Sequence, residues 1–501
     1  MPFKRLNLTN MQYTALRLMT HRAVRKSLNP TSVMATPSML AQRRTLINNE
    51  SRGRSTDPGG AYSTSNKAEG TIKRWPHPVV ESHGDYRAEA YLEAVIGGPL
   101  YAKQSKLPRL PIPSVHETLK RFLPTALPLA ESEIEKQNLL DVCAKFAQES
   151  TKLQARLQAY CKGEMKESSW LQLWWNTAGY LQVRDPAVVN VSYFFHFSDD
   201  GTLPDPTDDM SLGVMRGAAI LVAAAEFRKK VCSGTLPEES IGRKEPKTSL
   251  CSVAFKYMFN ACRIPRRDQD SYRMYDPSLN THCIVARKGH FFAVDFVDDH
   301  GDPLPLAVLE RRLQRVIEHA DEAEGSNDVP MLGWLTSCNR DSWADARDEL
   351  IRAGGSKMEQ ALARLESGAL MLCLDDEEPI SRKQCSNIFW TGSTTSGQNR
   401  WFDKSIQIMC TNNGKAGLLG EHSMMDGMPM VGLADHITKM TYRNAEAKAL
   451  AKAEKDTVVG DGGVKDLFRE CTGDMNSSSS RVKECVHKGK ILSYRVISSQ
   501  Y

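Results

Sequence analysis

The chain has 501 residues, 41% of them hydrophobic and 25% charged, with a formal net charge of +5. That length can bury a sizeable core, and the composition is that of a globular protein. The charge excess is small for the length and concentrated at the N-terminus, so it does not argue for a nucleic-acid partner.

Residues 1–49 contain no Asp or Glu but eight Lys or Arg, with Leu16, Leu18 and Met19 interleaved with Arg17 and Arg22. An acid-free, Arg-rich start able to form an amphipathic helix is the composition of a mitochondrial transit peptide. Residues 1–48 are assigned to one, which places the protein in the mitochondrion, in the matrix or associated with the inner membrane; a plain basic tail and a peroxisomal location are the alternatives. Residues 49–104 are rich in Ser, Gly, Pro and charge and lack periodicity, so a largely disordered linker is expected there.

Pro108, Pro111 and Pro113 fix an extended entry to the next region, and helix signals follow over 115–122. A long helix is expected over 132–163, where Ile134, Leu139, Val142, Phe146, Leu153 and Leu157 recur near helical spacing. Residues 170–180 hold three tryptophans and a tyrosine. A helix over 209–234 contains the longest apolar run, 217–225, which is too short and too alanine-rich to span a bilayer. Further helices are expected over 249–260, 306–324 and 356–366, and another over 343–353 with Asp341 as its cap. Residues 281–298 read as a hairpin turning at Lys288-Gly289; 332–336 and 370–375 read as short strands. A packed apolar helix follows over 431–439, then a charged, alanine-rich helix over 445–455, and then an irregular tail. The alternation predicts a mixed α/β fold. The 12 cysteines show no CxxC pair and no zinc spacing with His, so they read as reduced core thiols, with no metal site.

Residues 400–427 concentrate the chemistry. Residues 405–410 alternate as a half-buried strand does, and Asn413-Gly414 is a hairpin turn. The segment ends in His422-x-x-x-Asp426-Gly427. An imidazole can take a proton from an alcohol or thiol and return it, and a nearby carboxylate can fix its tautomer or brace its loop. The same spacing also occurs in ordinary turns.

Taken with Arg400, Trp401, Asp403, Lys404 and Glu421, this segment resembles the second signature of the choline/carnitine acyltransferase family. Residues 107–113 followed by Glu117-Thr118-Leu119 resemble its N-terminal signature, with Phe122 a departure. Residues 170–185, Cys262-Arg263-Ile264-Pro265, Thr336-Ser337 and 340–344 agree in order. The resemblance covers about 105–445 and is lost past about Asp466, which leaves 446–501 a tail of uncertain origin. It implies a chloramphenicol-acetyltransferase-like, CoA-dependent acyltransferase fold. It also implies transfer of a short acyl group, acetyl, between CoA and carnitine, with His422 as general base and Asp426 in support. By the same resemblance Trp175 and Tyr180 line the carnitine pocket, where an aromatic wall suits a trimethylammonium group. Carnitine and acyl-CoA are then substrates, no cofactor is bound, and a complete protein is monomeric. In the family a second, similarly folded half follows the histidine and carries the oxyanion donor and CoA contacts. Neither is recognisable here, so the expectation is a chain holding the N-terminal half and part of the sheet. Choline as acceptor, another acyl length, or a non-catalytic fragment stay open.

Overall fold

The computed structural model describes residues 70–165, 169–207, 210–242, 247–323, 331–393, 395–453 and 463–468, all within the unit Lys67–Tyr501. The expected transit peptide, and the expected linker up to residue 69, lie outside these residues. From Gly70 onward the linker expectation is wrong. Residues 79–82 form β1 (Val79–Ser82) and residues 90–96 form α1 (Ala90–Ile96), and Trp75, Leu92, Ile96 and Leu100 are buried. The periodicity is hidden because the helix is short and ends at Gly97-Gly98. A side chain at Gly98 would meet the Gly234 carbonyl at 2.4 Å, so this glycine pair lets the segment press onto the core.

Next come α2 (Val115–Ala126), α3 (Glu133–Glu149) and α4 (Thr151–Lys162). The single helix expected over 132–163 is therefore two, broken at Ser150. Ser114 and Ser132 cap the first two by accepting the backbone N–H three residues on. Ile134, Val142, Phe146 and Leu153 remain exposed on this helical segment. Helix α5 (Gln172–Asn176) runs into a single π-helical turn, Thr177–Leu181.

The remaining elements are β2 (Ser192–His196), α6 (Leu212–Ser233), β3 (Ser240–Ile241), β4 (Thr248–Ser249), β5 (Ala261–Ile264), β6 (Ser271–Tyr275), β7 (His282–Arg287), β8 (His290–Asp295), α7 (Leu306–Glu322), α8 (Arg340–Ser367), β9 (Met371–Asp375), α9 (Arg382–Thr391), β10 (Ile406–Thr411), β11 (Ala416–Glu421), α10 (Gly427–Lys439), α11 (Tyr442–Ala453) and β12 (Val464–Asp466). Seven of the strands form one sheet in the order β12-β8-β7-β9-β10-β11-β2. Strand β9 is parallel to both β7 and β10, and the other pairings are antiparallel. The fold is mixed α/β, as expected. The hairpin β7–β8 turns at Lys288 and Gly289, both at positive φ, a pairing that matches the twist of the strands.

Each face of the sheet has its own core. Along β10, Ile406, Ile408 and Cys410 join the core containing α6, α7 and α10, while Met409 joins the one beneath α8 and α9. Strand β10 is consequently buried at every residue, not half-buried as its alternation predicts. Gln407, the polar residue in that alternation, is buried because its side chain accepts the Trp401 N–H at 2.8 Å. Helix α6 ends at Gly234, which is left-handed with φ 72°.

Three further expectations are corrected. Residues 249–260 hold only a 3₁₀ turn, Val253–Tyr257, and 332–336 is a 3₁₀ helix, Leu332–Ser337, rather than a strand; short apolar runs do not distinguish these shapes. Asn339, not Asp341, caps α8. The two helices expected over 343–353 and 356–366 are both present as the two parts of α8, which meet at a non-helical Gly355, φ 57°. The tail after 446 is not merely appended, because β12 pairs with β8 at the sheet edge. No described helix is long and apolar enough to cross a membrane.

Candidate active site

Strand β11 delivers His422 to its position. Glu421 N–H donates to Ser405 O at 3.2 Å and His422 N–H to Val191 O at 2.9 Å, so the backbone is held on both sides. The following loop is held in turn. Ser423 N–H and hydroxyl both donate to one Glu421 carboxylate oxygen, at 3.1 and 2.6 Å, and Met424 and Met425 are buried in the core. The backbone is thus fixed while the imidazole stays 32% exposed.

Two tyrosines frame that ring. Tyr180, in the π turn, stacks on it with centroids 5.4 Å apart and planes at 22°; such turns open the helical ladder and present a side chain locally. Tyr193 of β2 meets it edge-on at 5.0 Å. Trp175 contacts Tyr180 edge-on at 6.0 Å and is 57% exposed, so one aromatic wall runs from the surface to the imidazole. Burial first, then the Asp426 and Glu421 charges, pushes the Tyr180 hydroxyl up to about 12. The Tyr193 hydroxyl is raised further by the same causes in the same order. Both are therefore neutral donors near pH 7. The Tyr193 hydroxyl and His422 Nδ1 are both buried without a hydrogen-bond partner among the described residues.

Asp426 sits differently from a partner that sets the tautomer. Its Oδ1 is 3.9 Å from His422 Nε2, beyond hydrogen-bond range. The same oxygen accepts Gly427 N–H at 2.7 Å, which makes Asp426 the N-cap of α10. Its carboxylate is 80% exposed.

Beneath the site lies a buried ionic network. Arg263 of β5 bonds Asp270 through Nε at 2.7 Å, Glu421 through Nη1 at 3.1 Å and the Tyr180 carbonyl through Nη2 at 3.0 Å. Arg340 bonds the same Asp270 oxygen at 2.7 Å and pairs with Asp403 at 2.7 Å, and Trp343 Nε1 donates to Asp403 at 2.6 Å. Burial alone would raise the Asp270 carboxyl, but Arg340, Arg263 and Arg184 bring it down to about 2.

A scan against known families matches residues 110–488 to the choline/carnitine o-acyltransferase family, more than half of the chain. The chain belongs to the choline/carnitine O-acyltransferase family. It is 32% identical over 351 residues to the mitochondrial carnitine O-acetyltransferase of Saccharomyces cerevisiae, across 68% of this chain and 49% of the relative. To carnitine O-acetyltransferase of Rattus norvegicus it is 29% identical, across 70% and 54%. To the mitochondrial carnitine O-palmitoyltransferase 2 of Mus musculus it is 30% identical, across 66% and 52%. The chain thus spans about half the length of the curated relatives it matches. The match runs to residue 488, so the expectation that the resemblance ends near Asp466 is corrected.

Three of the four residues singled out, Trp175, Tyr180 and His422, are brought into one row. Asp426 lies beside them, engaged with the helix. The upstream signature residues serve as scaffold around this family's histidine segment. Arg400 pairs with Asp375 at 2.7 Å, Asp403 receives Arg340 and Trp343, and Lys404 donates to the carbonyls of Glu366 and Gly368. Tyr193 was missed in the sequence as a ring neighbour of the histidine, and Glu421 and Arg263 as the bonded pair beneath it. Only the position of Glu421 beside His422, and the Cys-Arg-Ile-Pro motif for Arg263, mark them in the sequence. A cleft of about 900 Å³ lined by Phe194, His196, Arg382 and Lys415 opens beside β2 and does not include His422.

Proposed function

We propose that this site transfers an acyl group, acetyl by preference, between CoA and carnitine, with His422 as the general base. The observation that carries the reading is the fixed but solvent-reachable imidazole stacked on Tyr180, at the inner end of an aromatic wall. In one direction His422 Nε2 takes the proton of the carnitine hydroxyl as that oxygen attacks the thioester carbon. The carbon–sulfur bond then breaks, and the imidazolium returns the proton to the CoA thiolate. In the other direction the thiol gives up the proton and the alcohol receives it. The aromatic faces of Trp175 and Tyr180 attract the trimethylammonium group and bring the hydroxyl to the base, which removes much of the entropic cost of encounter. Asp426 supports the loop as a helix cap. A positioned general base supplies about 10²–10⁴ in rate.

The proposal includes the chloramphenicol-acetyltransferase-like architecture, acyl-CoA and carnitine as substrates, a monomeric protein and a mitochondrial location. The last is supported by the basic N-terminus and by the mitochondrial relatives. Transfer of longer acyl groups is the second reading, because a palmitoyltransferase is matched at an identity comparable to that of the acetyltransferases. Assaying thiol release by the purified protein with acetyl-, octanoyl- and palmitoyl-CoA, against carnitine and against choline, tests both. The proposal expects carnitine-dependent release that is fastest with acetyl-CoA. Equal release with choline, or release only with palmitoyl-CoA, overturns it.

A further inference from the structure

The two stacked rings belong to segments far apart in sequence, and one side chain is bonded to both. Arg263 is fully buried, with its guanidinium at zero exposure. Its Nη2 donates to the backbone carbonyl of Tyr180 at 3.0 Å, and its Nη1 to the carboxylate of Glu421 at 3.1 Å. Glu421 precedes His422 directly and grips Ser423 on its other side through the Ser423 N–H and hydroxyl. The third arm, Nε, is anchored on Asp270 at 2.7 Å, itself locked by Arg340. A planar guanidinium holds several acceptors at fixed angles, which an ammonium on a flexible stem does not.

We propose that Arg263 is the positioning residue of this site: its fork sets the spacing between the Tyr180 and His422 rings, and so aligns a cationic alcohol bound on the aromatic wall with the base. The inference rests on the acyl-transfer reading above. A merely structural Arg263 would affect folding as its neighbour Arg340 does. Arg340 is equally buried and shares Asp270, but makes neither bond to the site.

The test compares Arg263→Lys with Arg340→Lys in the full chain. One readout is the His422 imidazole C–H resonance in histidine-labelled protein, assigned by its loss in His422→Gln; stacking on Tyr180 displaces it by ring current. The other is the KM for carnitine at saturating acetyl-CoA. Both variants are expected to lower the Tm. Only Arg263→Lys is expected to move the resonance toward its unstacked position and to raise the carnitine KM at least tenfold, with the acetyl-CoA KM changed less than twofold. Should Arg263→Lys not fold, Glu421→Gln, which keeps an acceptor but removes the charge, is expected to give the same shifts in smaller measure. An unmoved resonance in the Arg263 or Glu421 variant, or an equal displacement in Arg340→Lys, overturns the inference. If the wild type shows no carnitine-dependent transfer yet the resonance moves as stated, the acyl-transfer reading fails and the positioning role stands.

Discussion

Tyr180 stacks on His422 with ring centroids 5.4 Å apart, in a site where neither Tyr180 nor the neighbouring Trp175 is deeply buried. An aromatic face beside a base suits a cationic substrate carrying a hydroxyl. A cation–π contact contributes about 0.5–2 kcal/mol, which corresponds to roughly 2- to 30-fold in affinity. Tyr180→Ala should therefore raise the KM for carnitine by roughly that factor. Tyr180→Phe, which keeps the ring and loses only a hydroxyl that stays protonated, should stay within about twofold. Steady-state kinetics on both variants decide it: equal losses would assign the effect to the hydroxyl.

Asp426 caps α10 and stands 3.9 Å from the imidazole. Asparagine caps as well as aspartate, whereas alanine costs about 1 kcal/mol. Thermal unfolding should show Asp426→Asn close to wild type and Asp426→Ala destabilised by that amount. Turnover of Asp426→Asn should fall far less than that of His422→Ala. A loss as large as that of the histidine variant would mean the carboxylate takes part in the proton transfer.

Gly420 lies against Tyr193: a Cβ there would sit 2.7 Å from the ring's Cζ and 2.9 Å from its hydroxyl. Overpacking of this kind costs about 1–3 kcal/mol. Gly420→Ala should lower the Tm accordingly and reduce turnover, because Tyr193 is displaced against His422. Unchanged turnover would show that the Tyr193–His422 contact does not matter for the reaction.

Acid should destabilise the fold in two stages. Burial, then the Arg364 charge, lowers His282 to about 3. The unfolded chain therefore binds this proton first as pH falls from about 6.5 to 3, and stability drops by roughly 4 kcal/mol over that range. Asp270, held at about 2 by its three arginines against the opposing effect of burial, stabilises the fold fully above its unfolded value near 4. It loses about 2 kcal/mol as pH falls through 2. Chemical unfolding followed from pH 7 to pH 3 should show the first stage begin below pH 6.5, and His282→Gln should flatten it. A flat curve between pH 6.5 and 4 would contradict the assignment.

Much of the fold was legible where one periodicity acts alone. Helix α6, the hairpin β7–β8 and strands β9 and β10 follow from apolar spacing and turn residues. Residues 332–336 and 249–260 misled because a short apolar run fits a strand, a helix and a 3₁₀ turn equally. Residues 70–104 misled because their one α-helix, Ala90–Ile96, is too short to show a periodicity and ends at a glycine pair. At the site, His422, Trp175 and Tyr180 were named from motif resemblance, and their stacking depends on a π turn that no spacing rule announces. Arg263 was invisible as a partner because its three bonds reach residues 7, 83 and 158 positions away. The signature residues Arg400 and Asp403, which carry the family resemblance, hold the sheet and α8 beneath the site through Asp375 and Arg340.

The most direct measurement is the rate of carnitine-dependent thiol release from acetyl-CoA by the purified chain and by its His422→Ala variant, with both shown to be folded. A base acting at Nε2 predicts release by the wild type and a loss of about 10²–10⁴ in the variant. Carnitine-dependent release that survives the substitution, or none in the folded wild type, would contradict the account.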